Sequence, residues 1–351
     1  MHRRTRRTLL IVAAVLAALA VAVFLRSKAP PEAARLLPES DGIVYVNLQP
    51  LRVFLRKDLN PPHYDPDYQA FIDATGINWE RDLDQVAVAL HRMPDPNGPN
   101  GPVAYSMVFV GRITGRKLNE WLAAHAASRE NYAGKTIYNV PSDGRTVRVS
   151  QIGYDMVAVS NAPTPEQIHS IIDRHRTAAL PFAGSTLLQR HYQDVPLLSI
   201  AWGVGQIGLP FSQSGSISVL GLQLPVPDNT TLVASVAPTL PLASGFHVEG
   251  LLRCRVEEFA PSEAVAAGQA EALRNLVALF QQISVPLADT PLNDGFKELL
   301  RTAQVTRRKD RVVIAASVSP SLFTAADLAS PNLGEKSLPG GATSLPPPAS
   351  H

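Results

Sequence analysis

Cysteine is almost absent from this sequence, which contains only Cys254. One thiol cannot form a disulfide within the chain, so the cysteine count does not indicate an oxidising or a reducing compartment. A lone cysteine in a globular chain is usually a small packed side chain. We therefore predict that Cys254 is a structural residue without a chemical role.

Positive charge is scarce outside the N-terminal segment, and aromatic residues are few. Residues 1–28 hold six of the 32 basic residues and no acidic ones, which leaves 26 basic against 30 acidic residues in the rest of the chain. Nucleic-acid binding needs clustered positive charge, so this balance argues against a nucleic-acid partner. Aromatic residues form 6% of the chain and are dispersed, which does not favour a carbohydrate-binding surface. The later basic cluster Arg307–Lys309 lies between two strand-like segments and is predicted to be an exposed hairpin tip.

The sequence also lacks complete motifs for catalysis and for metal binding. It has no GxSxG or SxxK nucleophile motif, no HExxH and no Cys/His cluster. His169 and His175 are six residues apart on a predicted helix and face different directions, while His169 with Asp173 is a spacing typical of surface hydrogen bonding. The acidic pair Glu257–Glu258 is expected near a helix N-terminus. We therefore predict no catalytic residue and no enzyme activity.

Two segments match cofactor or metal motifs in part, and each fails at one residue. Gly203–Gly208 matches the dinucleotide-binding pattern GxGxxG, with Asp228 further along the chain. That motif needs a helix beginning at its last glycine, which Pro210 prevents. The loop Asp95–Gly101 spaces oxygen ligands as a calcium loop does, but Ser106 stands where a bidentate Glu is needed. The sequence therefore predicts no bound cofactor and no metal site.

The N-terminal segment has the features of a membrane anchor. Leu9–Leu25 is an uninterrupted apolar run of 17 residues, which as a helix spans roughly 26 Å, close to a hydrocarbon core of about 30 Å. Four arginines precede the run and two basic residues follow it, a bias that keeps the N-terminus in the cytoplasm. We predict a basic cytoplasmic segment over residues 1–7 and a transmembrane helix over 8–25, in contact with the lipid bilayer. A cleaved signal peptide is the alternative, because small residues flank positions 19 and 21.

The rest of the chain alternates between short β-rich runs and amphipathic helical segments. Runs such as Ile43–Val46 and Met156–Ser160 have strand composition, and Ile168, Ile171 and Ile172 have helical spacing. Neighbouring runs are joined by hairpin-like turns, which indicates antiparallel pairing. The predicted fold class is α+β.

The second half of the chain repeats the order of elements found in the first half. Leu197–Val204 corresponds to the run that starts at Ile43, and Asp310–Ala315 corresponds to Asp155–Ser160. The separation between matched runs is about 140 to 155 residues, which indicates a tandem duplication. The predicted organisation after the anchor is a linker, a first unit, a second unit and a Pro-, Gly- and Ser-rich disordered tail: 26–35, 36–195, 196–329 and 330–351.

Three segments carry a resemblance to a known type of protein: Leu36–Val46 (LLPESDGIVYV), Tyr132–Tyr138 (YAGKTIY) and Met156–Asn161 (MVAVSN). Together they resemble uncharacterised bacterial single-pass membrane-anchored extracytoplasmic proteins. The resemblance implies a duplicated α+β body outside the cytoplasm. It carries no catalytic residue, because no activity is established for that family type.

These observations favour a membrane-anchored structural or interaction protein of the bacterial envelope. The expected location is the cell inner membrane, with the N-terminus in the cytoplasm and a periplasmic or other extracytoplasmic body that meets an envelope protein or lipid. Two alternatives remain. One is a carrier of a small apolar ligand or lipid in a cleft between the halves, and the other is an extracytoplasmic hydrolase whose site forms only in the folded chain.

We predict that the full-length chain stays with the membrane fraction after a carbonate wash, because a helix of this length and apolarity remains in the bilayer. Protease added outside the membrane should degrade the body. Immunoblots of washed membranes, with one tag at each terminus, measure both outcomes. A mature chain beginning near Val21 or Val23 would instead indicate a cleaved signal peptide.

Overall fold

The computed structural model describes most of the body. The described residues are 12, 29–55, 66–98, 101–113, 115–142, 144–177, 184–206, 216–219, 222–225, 230–239, 252–282 and 291–318. The predicted transmembrane helix over 8–25, apart from Val12, and the predicted tail over 330–351 lie outside these residues. No helix within the described part of the chain is long and apolar enough to span a bilayer.

The described strands form one large sheet and one separate hairpin. The strands are β1 (Gly42–Asn47), β2 (Leu83–Arg92), β3 (Val103–Gly111), β4 (Ser128–Tyr132), β5 (Lys135–Ser142), β6 (Arg145–Gln151), β7 (Met156–Ser160), β8 (Ala201–Gln206), β9 (Ser216–Val219), β10 (Leu222–Pro225), β11 (Thr231–Pro238), β12 (Leu252–Phe259), β13 (Gln304–Arg308) and β14 (Arg311–Val318). Twelve of them pair in the order β13-β14-β12-β11-β8-β1-β2-β3-β7-β6-β5-β4, and β9 pairs with β10.

Helices pack on both faces of the large sheet. They are α1 (Glu32–Arg35), α2 (Leu48–Leu55), α3 (Pro66–Thr75), α4 (Trp79–Asp82), α5 (Gly115–His125), α6 (Glu166–Arg176), α7 (Thr186–His191), α8 (Glu263–Gln282) and α9 (Pro291–Thr302), with a 3-10 turn at Tyr192–Asp194. Neighbouring strands in the sheet pair antiparallel, as between β1 and β8. The predicted α+β class with mainly antiparallel pairing is therefore confirmed.

Alternation along the strands gives the sheet two apolar faces. We call the side of Ile43 and Trp202 the front face, where α1, α6 and α7 cover one continuous core that includes strands from both halves of the chain. On the back face, α3, α4 and α5 cover the first half, and α8 covers the second half. The helical spacing predicted for Ile168, Ile171 and Ile172 is confirmed, because α6 buries all three completely in the front core.

The two halves of the sheet have the same strand order when it is followed outward from the central pair β1 and β8. On one side the order is β1, β2, β3, β7, β6, and on the other it is β8, β11, β12, β14, β13. A helix follows β3 in the first half and β12 in the second half. The extra strands β4 and β5 lie beyond β6, at the outer edge of the first half.

Backbone hydrogen bonds just outside the strands also match between the halves. Gly111 N donates to Asp155 O at 2.9 Å, and Ala260 N donates to Asp310 O at the same distance. Asp41 N donates to Leu90 O at 3.0 Å, and Ile200 N donates to Val236 O at 2.8 Å. These bonds fix the correspondence residue by residue. The matched pairs used below are Val108 with Glu257 and Met156 with Arg311. Tyr154 and Lys309 each precede the aspartate whose carbonyl accepts one of these bonds.

The acidic pair Glu257–Glu258 lies inside β12, with 3% and 8% of each residue exposed. The prediction that the pair occupies a helix N-terminus is wrong, because β12 continues to Phe259. Successive strand residues point to opposite faces, so Glu257 faces the front and Glu258 faces α8 at the back. Burial raises the pKa of the Glu258 carboxyl. One buried oxygen of Glu258 and one of Gln269 have no hydrogen-bond partner among the described residues.

We predict that Glu258→Gln stabilises the body at pH 7. A folded pKa above the unfolded value of about 4.3 means that stability falls as pH rises from that value through the folded pKa. Glutamine does not ionise, and its amide can donate to the unpaired oxygen of Gln269. Urea unfolding should show the gain at pH 7 and a smaller gain at pH 4. Glu271→Gln, on the exposed side of α8, is the control and should change little at either pH. An equal gain at both pH values would contradict the explanation.

Candidate functional site

A charged cleft of about 700 Å³ opens on the front face of β12 and β14. One wall is the segment Gln193–Leu197, which begins within the 3-10 turn beside the front core. The floor holds Arg255 and Glu257 from β12, and the other wall is the turn Arg308–Arg311 between β13 and β14. The cleft therefore lies where the helices of the front layer end. We call it the charged cleft.

A chain of ion pairs runs across the floor of the charged cleft. Nη1 of Arg311 donates to Oδ1 of Asp194 at 2.7 Å and to Oε1 of Glu257 at 3.2 Å. Nη2 of Arg255 donates to Oε2 of Glu257 at 2.6 Å. The guanidinium of Arg311 also stacks 4.3 Å from the centre of the Phe259 ring. Glu257 is thus held between two arginines, and its side chain is 4% exposed.

The charged cleft is lined by four basic residues and by three acidic ones, Asp194, Glu257 and the exposed Asp310. Arg308 and Arg311 are directly opposite each other in the β13–β14 pair, an arrangement of like charges that destabilises a sheet. Lys309 follows with φ of 56°, and both Arg308 and Lys309 are exposed. Nε of Arg255 is buried without a partner among the described residues. These donors can bind an acidic group, while Asp194 and Glu257 are already occupied by arginine.

The first half has apolar side chains where the second half has this ion pair. Val108 matches Glu257 and is fully buried, and Met156 matches Arg311 and is 7% exposed. Both belong to the front core. The strand framework therefore does not require charge at these two positions.

A second, shallower pocket of about 460 Å³ lies beside Tyr132 and His169. Their rings stack with centroids 3.7 Å apart. His169 Nε2 lies 2.7 Å from Oε1 of Glu130, and the Tyr132 hydroxyl donates to Oδ2 of Asp173 at 2.8 Å, a bond that raises the pKa of Tyr132. His169 and Asp173 thus each bond to β4 rather than to each other. This arrangement attaches the outer strand β4 to α6.

A buried row of polar side chains was not predicted from the sequence. His91 Nε2 lies 3.0 Å from Oγ of Ser106, and that Oγ lies 3.1 Å from Oγ of Ser160. Burial lowers the pKa of His91, which favours the neutral imidazole. Serine beside histidine is the pairing of a nucleophile with its base. Ser106 and Ser160 are fully buried, however, and no substrate can reach them without opening the front core.

The glycine motif lies within an antiparallel strand. Gly203 and Gly205 are in β8, which pairs antiparallel with both β1 and β11. A dinucleotide site needs a parallel strand–helix–strand unit, which this pairing does not provide. Gly208, Pro210 and Asp228 lie outside the described residues.

The two predicted turns have local explanations. Asp95 uses its Oδ1 to accept from the backbone N–H of Asn97 at 3.0 Å, as turn residues do. The hairpin tip predicted for Arg307–Lys309 is confirmed by the pairing of β13 with β14. Within the described ranges, no three metal-binding side chains come together.

Comparisons with known proteins provide no family. Neither a protein-family model nor a curated protein sequence matches the chain. Crystal form IV of TP0453 aligns with a TM-score of 0.44 and 11% identity, over 85% of this chain and 96% of that one. Crystal form I of the same protein aligns with a TM-score of 0.42 and 12% identity, over 86% and 98%. Likenesses at this level carry no argument about function.

Proposed function

We propose that the chain is a single-pass, membrane-anchored extracytoplasmic interaction protein of the bacterial envelope, of the type that its sequence resembles. Its body is a duplicated α+β unit, and the charged cleft binds the acidic groups of a partner. The basic, apolar N-terminus supports the anchor. The equal strand order and the matched backbone hydrogen bonds support the duplication.

The observation that carries this proposal is the ion pair Glu257–Arg311 at positions where the first half has Val108 and Met156. A buried ion pair is weak evidence for stability, because desolvation offsets much of its attraction and apolar replacements are often neutral or stabilising. In the first half of the sheet, the matched sites hold the buried apolar residues Val108 and Met156. The charges are therefore better explained by what the cleft binds than by what the fold needs.

The partner's chemistry follows from the donors that remain open. Arg308 and Lys309 are exposed at the tip of the β13–β14 hairpin. The hydrogen bonds from Arg311 to Asp194 and Glu257 both come from Nη1, so the rest of its guanidinium can bind a partner. Carboxylates on a protein or on cell-wall material can accept from these donors, and arginine can do so through two parallel bonds. Leu197 at the opposite wall is 54% exposed and provides an apolar contact next to the charged groups.

The double variant Glu257→Val with Arg311→Met gives the second half the residues of the first. We expect it to fold and to lose partner binding. Its unfolding free energy should lie about 1–2 kcal/mol below that of the parent, because Asp194 loses Arg311 and Arg255 loses Glu257. Arg311→Met alone leaves Asp194 and Glu257 less well paired and should cost about 1–2 kcal/mol. The cost is limited because the Arg311 side chain is 38% exposed. Urea unfolding measures these differences.

Partner binding can be measured by a photo-crosslinking residue at Leu197 in intact cells. The matched control places the same residue at Glu271, on the exposed side of α8. We expect a specific adduct from position 197, its loss in the double variant, and no equivalent adduct from position 271. An adduct that persists in the folded double variant would contradict the assignment of binding to the charged cleft.

A further inference from the structure

Tyr154 is 94% exposed, more than any other large hydrophobic side chain among the described residues. It lies in the turn between β6 and β7, and its neighbours in the turn are Gly153 and Asp155. Neither the front core nor the back core includes it. The ring is therefore available for a contact outside the body, and tyrosine is enriched where one end of a side chain meets an apolar phase and the other meets water.

The turn with Tyr154 lies at the end of the body where the chain arrives from the anchor. His175 is close to Gly153, since a Cβ on that glycine would lie 3.4 Å from His175 Nε2. The carboxylate of Glu32, at the start of α1, is also near His175, and its charge partly offsets the lowering of the His175 pKa by burial. Residues 26–31 alone separate α1 from the apolar run. Six residues span at most about 21 Å, so this end of the body is held close to the bilayer surface.

Two cations lie on segments next to this turn. Arg112 follows Gly111, whose backbone N–H donates to Asp155 O at 2.9 Å. Nη2 of Arg112 donates to Arg81 O at 2.8 Å and lies 3.5 Å from Oδ1 of Asp82, while the side chain as a whole is 67% exposed. Lys135 begins β5 and lies near His175, whose pKa is lowered by burial and by the Lys135 charge. Tyrosine with neighbouring Arg and Lys is the composition that proteins place at the headgroup level of a membrane.

The second half has a turn at the corresponding place, between β13 and β14. Tyr154 and Lys309 are each followed by an aspartate whose carbonyl accepts the matched hydrogen bond. The two turns differ in length, because four residues separate β6 from β7 and two separate β13 from β14. Because β1 and β8 are antiparallel, the matched turns lie at opposite ends of the sheet.

We propose that the turn Gly153–Asp155 rests on the membrane surface, with the ring of Tyr154 in the headgroup region and Arg112 and Lys135 on lipid phosphates. This inference rests on the proposed anchor. It gives the body a fixed orientation, in which the end with Arg308 and Lys309 faces away from the bilayer. The charged cleft is then open to partners in the extracytoplasmic space rather than to lipid.

The test uses the full chain reconstituted in vesicles of phosphatidylethanolamine and phosphatidylglycerol. Tyr154→Trp is compared with Lys309→Trp, its matched control, and with the parent chain, whose three tryptophans give the baseline. We expect lipids brominated near the headgroup to quench the added fluorescence at position 154 and not at position 309. Adding Arg112→Gln and Lys135→Gln should reduce quenching at 154, most strongly at low salt.

The outcomes separate this inference from the proposed anchor. Failure of the chain to float with the vesicles after a carbonate wash would reject the anchor, and this inference with it. A chain that floats but shows a water-exposed tryptophan at position 154 would reject the membrane contact and leave the anchor standing. Equal quenching at positions 154 and 309 would reject the fixed orientation.

Discussion

The pairing of β1 with β8 is the constraint on which the rest of this structure depends. Asn47 N donates to Ile200 O at 2.7 Å at one end of the pair, and Gln206 N donates to Asp41 O at 3.2 Å at the other end. These reciprocal bonds join the two halves into one sheet. Since the central strands are antiparallel, every matched element of the second half points the opposite way. A feature at one end of the sheet in the first half therefore has its counterpart at the opposite end.

The front core depends on the same central pair. Tyr45 of β1 stacks on Trp202 of β8 with ring centroids 5.4 Å apart, and Tyr192, from the 3-10 turn, meets Trp202 edge-on at 5.5 Å. Burial, with a smaller effect of Tyr192, raises the pKa of Tyr45. The aromatic contacts hold the 3-10 turn against the sheet, and that turn carries Asp194 to the charged cleft. The position of the cleft wall thus follows from packing at the centre of the sheet.

Local patterns in the sequence predicted much of the fold. The α+β class, the helix over Ile168–Ile172 and the hairpin tip at Arg307–Lys309 all depend on residues close together in the chain. The charged cleft could not be predicted in this way. Asp194 and Arg311 are 117 residues apart, and only the strand register brings them together. The sequence pattern was misleading at Glu257, because a charged residue inside a strand suggests that the strand has ended, whereas β12 continues to Phe259.

The central pair also determines the order in which the sheet can be completed. Ile43 pairs with Val204, 161 residues further along the chain, whereas β2 is available soon after β1. Contacts between residues so far apart form slowly, because a long loop must close first. Until β8 arrives, one edge of β1 exposes its backbone groups and can pair with another chain. A chain whose synthesis stops before β8 therefore keeps an open, apolar strand edge, so the intact second half also protects the first from aggregation.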